Sequence, residues 1–174
     1  LQVGQTDAEL AVTELLRLGC RRPALVAPGL PDPSNPTREG YRRALHDHGI
    51  PVDPALIWAC DWDRRRVADF RCHMAEMQRR TGMDGLLIDV PVELNPDLRF
   101  GMAANIGIPE SVKIITQCEY ACNRNLSPQL PFIDYDYRQI GQDAVTLLLS
   151  GQPLGGVRTY APFVNRLANP DFNA

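Results

Sequence analysis

The residues best placed for chemistry are two tyrosines at a predicted strand-to-helix turn. In the segment Phe132–Val145, a short strand leads directly into a helix that Asp136 and Gln139 begin as a capping box. This turn puts Tyr135 and Tyr137 at the end of a strand, where open α/β sheets bind their ligands. Asp136 is interpreted as the helix cap. The segment therefore predicts a ligand-binding edge at the two tyrosines.

Two further candidates follow other predicted strands. Trp62 comes just after the second predicted strand, and Glu119 comes shortly after the fourth. Because the carboxyl ends of parallel strands meet at one edge of a sheet, we expect Trp62, Glu119 and Tyr137 to line one cleft. A lone tryptophan after a strand fits a packed core equally well, so both interpretations stay open for Trp62.

Motifs for catalysis or for metal binding are missing from the sequence. It contains no nucleophile elbow, P-loop or GxGxxG, and His46, His48 and His73 fall on predicted helices, where surface positions explain them. Cys118 and Cys122 match no strong zinc spacing, and a free cysteine usually behaves as a small buried hydrophobe. We therefore expect no enzymatic activity, no cofactor and no metal site.

Composition narrows the class of protein. The 174 residues suffice for one sizeable core or two small lobes. With 18 basic against 21 acidic residues the net charge is −3, which leaves no electrostatic footprint for nucleic acid. No apolar run has the length of a membrane span, and no signal-peptide pattern opens the chain. Five cysteines, an odd number without a CxxC, indicate a reducing cytoplasm.

Helices and strands alternate along the chain, which is typical of βαβ units and a parallel sheet. Besides the strand that begins at Phe132, strands are predicted at Pro23–Pro28, Leu56–Cys60, Gly85–Asp89, Val112–Thr116 and Arg158–Val164. Helices are predicted after a capping box at Thr6, from Asn35–Pro36 to Gly49, from about Asp63 to Thr81, from Asn95 to Gly107 and from Asp136 to Gly151. The predicted fold class is α/β, with at least four parallel strands across residues 19–131 and helices on both faces.

Short motifs in a fixed order make the chain resemble the lac-repressor-type transcription regulators, the LacI/GalR family. Leu18–Arg22 resembles the family's Leu-Gly-His-Arg-Arg, and Gly40–Leu45 resembles its Gly-Tyr-x-x-Ala-Leu helix. Ile108–Val112 is similar to the Ile-Pro-x-Asp-Val that leads into a sheet strand, and Phe132–Val145 is similar to the segment that crosses between the lobes. The resemblance covers nearly the whole chain and implies a periplasmic-binding-protein-like fold.

The resemblance also implies a division into lobes. Residues 1–18 correspond to part of the N-terminal lobe, and residues 19–131 correspond to the C-terminal lobe. Residues 132–157 cross over and return to the N-terminal lobe, and residues 158–174 form a terminal strand and tail. Nothing in the chain resembles a helix-turn-helix head, so we expect a fragment of a longer regulator. A self-contained flavodoxin-like domain would show the same alternation.

In that family, small effectors bind between the lobes through an arginine, an aromatic face, an Asn-Asp pair and a further aspartate. This set suits sugars, because planar polar groups can form paired hydrogen bonds with neighbouring hydroxyls while an aromatic ring covers the apolar face of the sugar. Carried over to this sequence, the resemblance implies the effector-binding residues Trp62, Glu119, Tyr137, Arg38 and Asp89.

Three departures from the family pattern remove most of the polar side chains that would be expected to bind sugar hydroxyls. Thr37 stands where the family has its arginine, and Arg38 lies one place along, a rotation of about 100° around a helix. Val90 and Pro91 replace the Asn-Asp pair, and Cys118 replaces the further aspartate. The effector is therefore other than a typical sugar, or the cleft binds weakly or not at all.

The first functional hypothesis is the effector-binding and dimerisation core of a cytoplasmic bacterial transcription regulator. Its partners would be a small-molecule effector and a second copy of the chain, with DNA bound only through the head and no membrane contact. The alternative is the solute-binding protein of a sugar transporter, although the five cysteines and the motif match favour the regulator. The apolar stripes near residues 8–18 and 137–150 are predicted to pack against each other, against the strand at 158–164 or against a second copy.

Overall fold

The computed structural model describes residues 3–28, 34–60, 67–89, 111–117, 131–150 and 160–165. Within these ranges helices and strands alternate as far as the third strand, apart from a short 3-10 turn at Pro54–Leu56, and the third, fourth and fifth strands then follow one another without a described helix between them. The helices are α1 (Val3–Arg17), α2 (Pro36–Asp47), α3 (Val67–Thr81) and α4 (Tyr137–Leu149). The strands are β1 (Pro23–Pro28), β2 (Ile57–Cys60), β3 (Gly85–Ile88), β4 (Lys113–Thr116), β5 (Phe132–Asp134) and β6 (Phe163–Asn165).

The described strands form one sheet in the order β2-β1-β3-β4-β5-β6. Leu25 of β1 lies opposite Ile57 of β2 and Leu87 of β3, and Leu87 lies opposite Ile115 of β4. All neighbours pair in parallel except β6, which runs antiparallel to β5. Parallel pairing needs a crossover connection, and α2 and α3 provide it between β1, β2 and β3. The predicted parallel sheet of at least four strands is therefore confirmed, and the carboxyl ends of β1–β5 share one edge.

Helices cover both faces of the sheet, as predicted. Successive side chains of a strand point to opposite faces, so each strand contributes to two cores. On one face Val26 and Leu86 pack with Met74 and Met77 of α3. On the other face Leu25 and Leu87 pack with α1 and α2, whose buried residues are Ala8, Ala11, Val12, Leu15, Tyr41, Ala44 and Leu45. The predicted inward methionine stripe of α3 is confirmed at Met74 and Met77, which are buried.

Helix α1 differs from its predicted start, whereas its apolar stripe is covered in one of the predicted ways, by the terminal strand. It begins at Val3, so Thr6 lies inside the helix and the predicted capping box at Thr6 is wrong. Asp7 and Ala8, just after Thr6, are buried against the rest of the fold. The apolar stripe of α1 is covered by α2 and by the sheet, including β6, and not by α4. The lobe boundary after residue 18 stays a prediction.

Helix α2 has the start and the end that the sequence predicts. Asn35 Oδ1 accepts a hydrogen bond from Arg38 N at 3.2 Å, and Pro36 follows at the first helical position. At the other end Gly49 has φ +68°, and its N–H donates to His46 O at 2.9 Å. These caps hold the first turn of α2, and with it Thr37, at the end of the sheet.

Helix α4 begins as predicted but exposes its apolar side. Asp136 Oδ1 accepts from Gln139 N at 2.9 Å, whereas the Gln139 side chain donates to Asp143 Oδ1 at 2.8 Å. Leu148 is 71% exposed and Leu149 is 82% exposed. Among the described residues, neither α1 nor the terminal strand covers this stripe, and its predicted packing against a second copy stays a prediction. The predicted helix at 95–107 lies outside those residues.

Candidate functional site

Five polar side chains converge at the carboxyl edge of the sheet. Asp89 directly follows β3, Gln117 follows β4 and Tyr135 follows β5, while Thr37 comes from the first turn of α2 and Asp7 from α1. We call these five residues the polar cluster. Parallel strands bring their ends to the same edge, so residues far apart in sequence meet there.

Thr37 and Asp89 form the first pair within the polar cluster. The buried Thr37 Oγ1 donates to Asp89 Oδ2 at 2.5 Å. The backbone N–H of Asp89 donates to Val26 O at 2.8 Å, which extends the β1–β3 ladder and holds the carboxylate in place. Burial raises the pKa of Asp89; the hydrogen bond from Thr37 lowers it, and the nearby Asp7 charge raises it again.

Asp7 joins α1 to the ends of two strands. The Tyr135 hydroxyl donates to Asp7 Oδ1, and Gln117 Nε2 donates to Asp7 Oδ2 at 3.4 Å. Burial raises the pKa of Asp7, while these two hydrogen bonds lower it. Asp7 thus sits close enough to Asp89 for its charge to raise the pKa of Asp89.

Gln117 carries an unpaired acceptor. Its backbone N–H donates to Ile88 O at 2.9 Å, and its Nε2 faces Asp7. Its Oε1 is buried, and no hydrogen-bond partner for it exists among the described residues. A buried acceptor without a partner costs about 1–3 kcal/mol. A group that donates to this oxygen would therefore be stabilised at the polar cluster.

Two aromatic rings border the polar cluster. The rings of Tyr135 and Tyr137 lie with centroids 6.1 Å apart and planes inclined by 57°. Tyr135 packs against the α1–α2 core, whereas Tyr137 is 46% exposed. Tyr137 therefore offers an accessible aromatic face, which suits the apolar face of a small ligand.

The residues predicted from the sequence fall into three groups. Asp89 belongs to the polar cluster, and Tyr137 lies beside it through Tyr135. Arg38 is half-buried, and its described contact is the backbone N–H that donates to Asn35. Trp62 and Glu119 lie outside the described residues. A shared cleft for Trp62, Glu119 and Tyr137 stays a prediction.

Sequence reasoning missed two members of the cluster. Gln117 directly follows a predicted strand, as Asp89 does, and this position was a usable signal. Asp7 gave no such signal, because an acid in front of an apolar stripe is usually a solvated first-turn residue. Thr37 was recognised only as a substitute for an arginine, yet it provides the hydroxyl that binds Asp89.

Other kinds of site have no support in the described part of the chain. No three His, Cys, Asp or Glu side chains converge there as a metal ion would require. No helix in the same ranges is long and apolar enough to cross a membrane. The chemistry available at the polar cluster is reversible binding through hydrogen bonds, charge and an aromatic face.

Comparison with known proteins gives one family match and several similar structures. Residues 12–159 match the family model described as a periplasmic binding protein-like domain. No curated protein matches the chain.

The similar structures are transcription regulators. The transcriptional repressor ascG of Escherichia coli is 22% identical with a TM-score of 0.68, over 94% of this chain and 60% of that one. A LacI-family regulatory protein from Chloroflexus aggregans is 17% identical with a TM-score of 0.69, over 92% and 59%. A LacI-family regulator from Enterococcus faecium with bound ribose is 25% identical with a TM-score of 0.59, over 84% and 54%. This chain thus spans less than two thirds of each.

Proposed function

Because the chain belongs to the periplasmic binding protein-like domain family, we propose that it is the effector-binding core of a LacI-type transcription regulator. The LacI-family regulators among the similar structures support this proposal. So does the sequence resemblance, which runs through Leu18–Arg22 and Gly40–Leu45. On this proposal the chain binds a small molecule and does not catalyse a reaction.

The observation that carries the proposal is the polar cluster. It combines two carboxyls, a hydroxyl, an amide and a tyrosine at the carboxyl ends of parallel strands, next to the exposed ring of Tyr137. Buried polar groups gathered at one place cost stability, and such an arrangement is typical of ligand sites. A purely structural role would need only enough polar groups to satisfy one another.

Regulation would follow from linkage between the effector and DNA. The effector binds one arrangement of the lobes more tightly and so shifts the population of a homodimer whose DNA-binding heads are attached elsewhere in the regulator. On this proposal the regulator acts in the cytoplasm. Its partners are a small-molecule effector, a second copy of the chain and operator DNA.

A solute-binding protein for a sugar transporter is the second candidate. The family description itself favours it, since periplasmic binding proteins share this architecture. The two candidates differ in what the ligand changes. In a regulator joined to its head, effector binding alters operator affinity, whereas a transporter component binds no DNA.

Ribose binding, followed by thermal shift, tests the site. We expect ribose to raise the Tm of the chain, and Asp89→Asn to reduce that rise. Asp47→Asn, at an exposed position at the end of α2, is the matched control and should leave the rise unchanged. An equal rise in Tm for the Asp89 variant would show that ribose binds somewhere other than the polar cluster. No rise with ribose or with any other pentose or hexose would contradict a sugar effector.

A further inference from the structure

The donors of the polar cluster already have acceptors inside the cluster. Thr37 donates to Asp89, Tyr135 donates to Asp7, and Gln117 Nε2 donates to Asp7. All three hydrogen bonds end on a carboxylate. The group that remains for a ligand is therefore an acceptor, the second oxygen of the partly exposed Asp89, because the unpaired Oε1 of Gln117 is itself buried.

The charge of the cluster points in the same direction. Asp7 and Asp89 both carry carboxyls, and neither forms an ion pair with a Lys, Arg or His among the described residues. Arg38 follows Thr37 on α2, but its side chain has no described contact with either carboxyl. An anionic ligand placed here would face two carboxyls in a partly desolvated site, where like charges repel strongly.

We propose that the polar cluster selects a polyhydroxylated ligand with a protonated amino group, such as an amino sugar, and disfavours sugar phosphates. The inference rests on the proposed effector-binding function and specifies its ligand class. The ammonium group donates to the open oxygen of Asp89, and the ring of Tyr137 covers the apolar face of the sugar. The raised pKa values of Asp7 and Asp89 fit this assignment, because a nearby cation stabilises their ionised forms.

This selection would reverse what the family's arginine provides. At the equivalent position this chain has Thr37, whose hydroxyl is committed to Asp89. A fixed guanidinium would favour an anion or a lone-pair oxygen, since it has donors only. Replacing it by threonine removes that cation and leaves the carboxyl of Asp89 as the strongest charged group of the described cluster.

Isothermal titration calorimetry with three matched sugars tests the inference. Glucosamine, glucose and glucose 6-phosphate differ by an amino group and by a phosphate, and each is titrated into the same chain at a pH where the amine is protonated. We expect glucosamine to bind about tenfold more tightly than glucose, as one charge-assisted hydrogen bond implies. Glucose 6-phosphate should bind more weakly than glucose.

Two variants assign the preference to the polar cluster. Asp89→Asn keeps an oxygen for Thr37 but removes the charge, so the ratio of glucosamine to glucose affinity should fall toward one. Asp47→Asn should keep the wild-type ratio, and circular dichroism verifies that both variants fold. Glucose 6-phosphate binding as tightly as glucosamine would overturn the inference while leaving the effector-binding function standing. A preserved ratio in Asp89→Asn would also overturn it, and binding of none of the three sugars would count against both.

Discussion

The Thr37 hydroxyl donates a 2.5 Å hydrogen bond to Asp89, and this contact joins the first turn of α2 to the end of β3. Thr37 is buried and Asp89 is half-buried, and the two lie 52 residues apart in the chain. Their pairing keeps a carboxyl at the edge of the sheet without a basic partner. Several measurable consequences depend on this pair and on its neighbours in the polar cluster.

Thr37→Val should destabilise the chain. Valine has nearly the same shape as threonine but leaves the buried Asp89 carboxyl without its donor, so we expect a loss of about 1–3 kcal/mol in the free energy of unfolding. Urea denaturation at neutral pH measures this loss. Thr37→Ser keeps the hydroxyl and is the matched control, which should retain more stability than valine. Equal losses in both variants would show that packing, and not the hydrogen bond, decides the cost.

Asp89→Asn should change the pH dependence of stability. The pKa of Asp89 lies above its ordinary value in the folded chain, so the folded state binds more protons than the unfolded state between the two values. The contribution of the Asp89 carboxyl to the free energy of unfolding is therefore fully present below its ordinary pKa. It is lost as pH rises through the raised pKa of the folded chain. The variant lacks this loss.

Urea denaturation of both proteins over a pH series measures the difference. We expect the difference in the free energy of unfolding to move in favour of Asp89→Asn as pH rises from the ordinary pKa of Asp89 through its raised pKa, and then to stay constant. Because the Asp7 charge acts on Asp89, Asp7→Asn and the double variant are measured as well, and together they separate the two contributions. A difference that does not change with pH would contradict the raised pKa of Asp89.

Tyr135→Phe and Tyr137→Phe should have unequal effects on stability. The Tyr135 hydroxyl donates to the buried Asp7, so its removal should cost about 1–3 kcal/mol and raise the pKa of Asp7 further. Tyr137 is exposed, and its loss of a hydroxyl should change stability by no more than about 0.5 kcal/mol. Chemical denaturation of the pair measures both. A larger cost at Tyr137 would require its hydroxyl to have a structural role.

The proposed homodimer predicts that the exposed stripe of α4 is covered by a second copy. Val145, Leu148 and Leu149 are all more than half exposed in the single chain, and soluble monomers rarely present contiguous apolar surface without a function for it. We expect sedimentation velocity to report a dimer and Leu148→Glu to shift it toward monomer. Val52→Glu, at an exposed apolar position before β2, is the control and should leave the dimer intact. A wild-type monomer at micromolar concentration would contradict the dimer.

Much of the fold could be predicted because it depends on local patterns. Short apolar segments such as Gly85–Ile88 and caps such as Asn35 determine where strands and helices begin, within a residue or two. The alternation of elements then restricts the sheet to parallel crossovers. The start of α1 was predicted wrongly: the helix extends past the capping signal at Thr6 to Val3, and it packs Asp7 and Ala8 into the fold, a contact that a local pattern does not encode.

For the candidate site too, the sequence predicted some of the residues, and the fold alone showed how they pair. Sequence alone identified Asp89, Tyr135 and Tyr137 as residues at strand ends, because a strand's end is a local property. Only the tertiary structure decided that Thr37 donates a hydrogen bond to Asp89 and that Asp7 accepts hydrogen bonds from Tyr135 and Gln117. Those pairs lie 52, 128 and 110 residues apart in the chain. No local preference encodes them; they form because packing of α1 and α2 on one face of the sheet brings their first turns to its carboxyl edge.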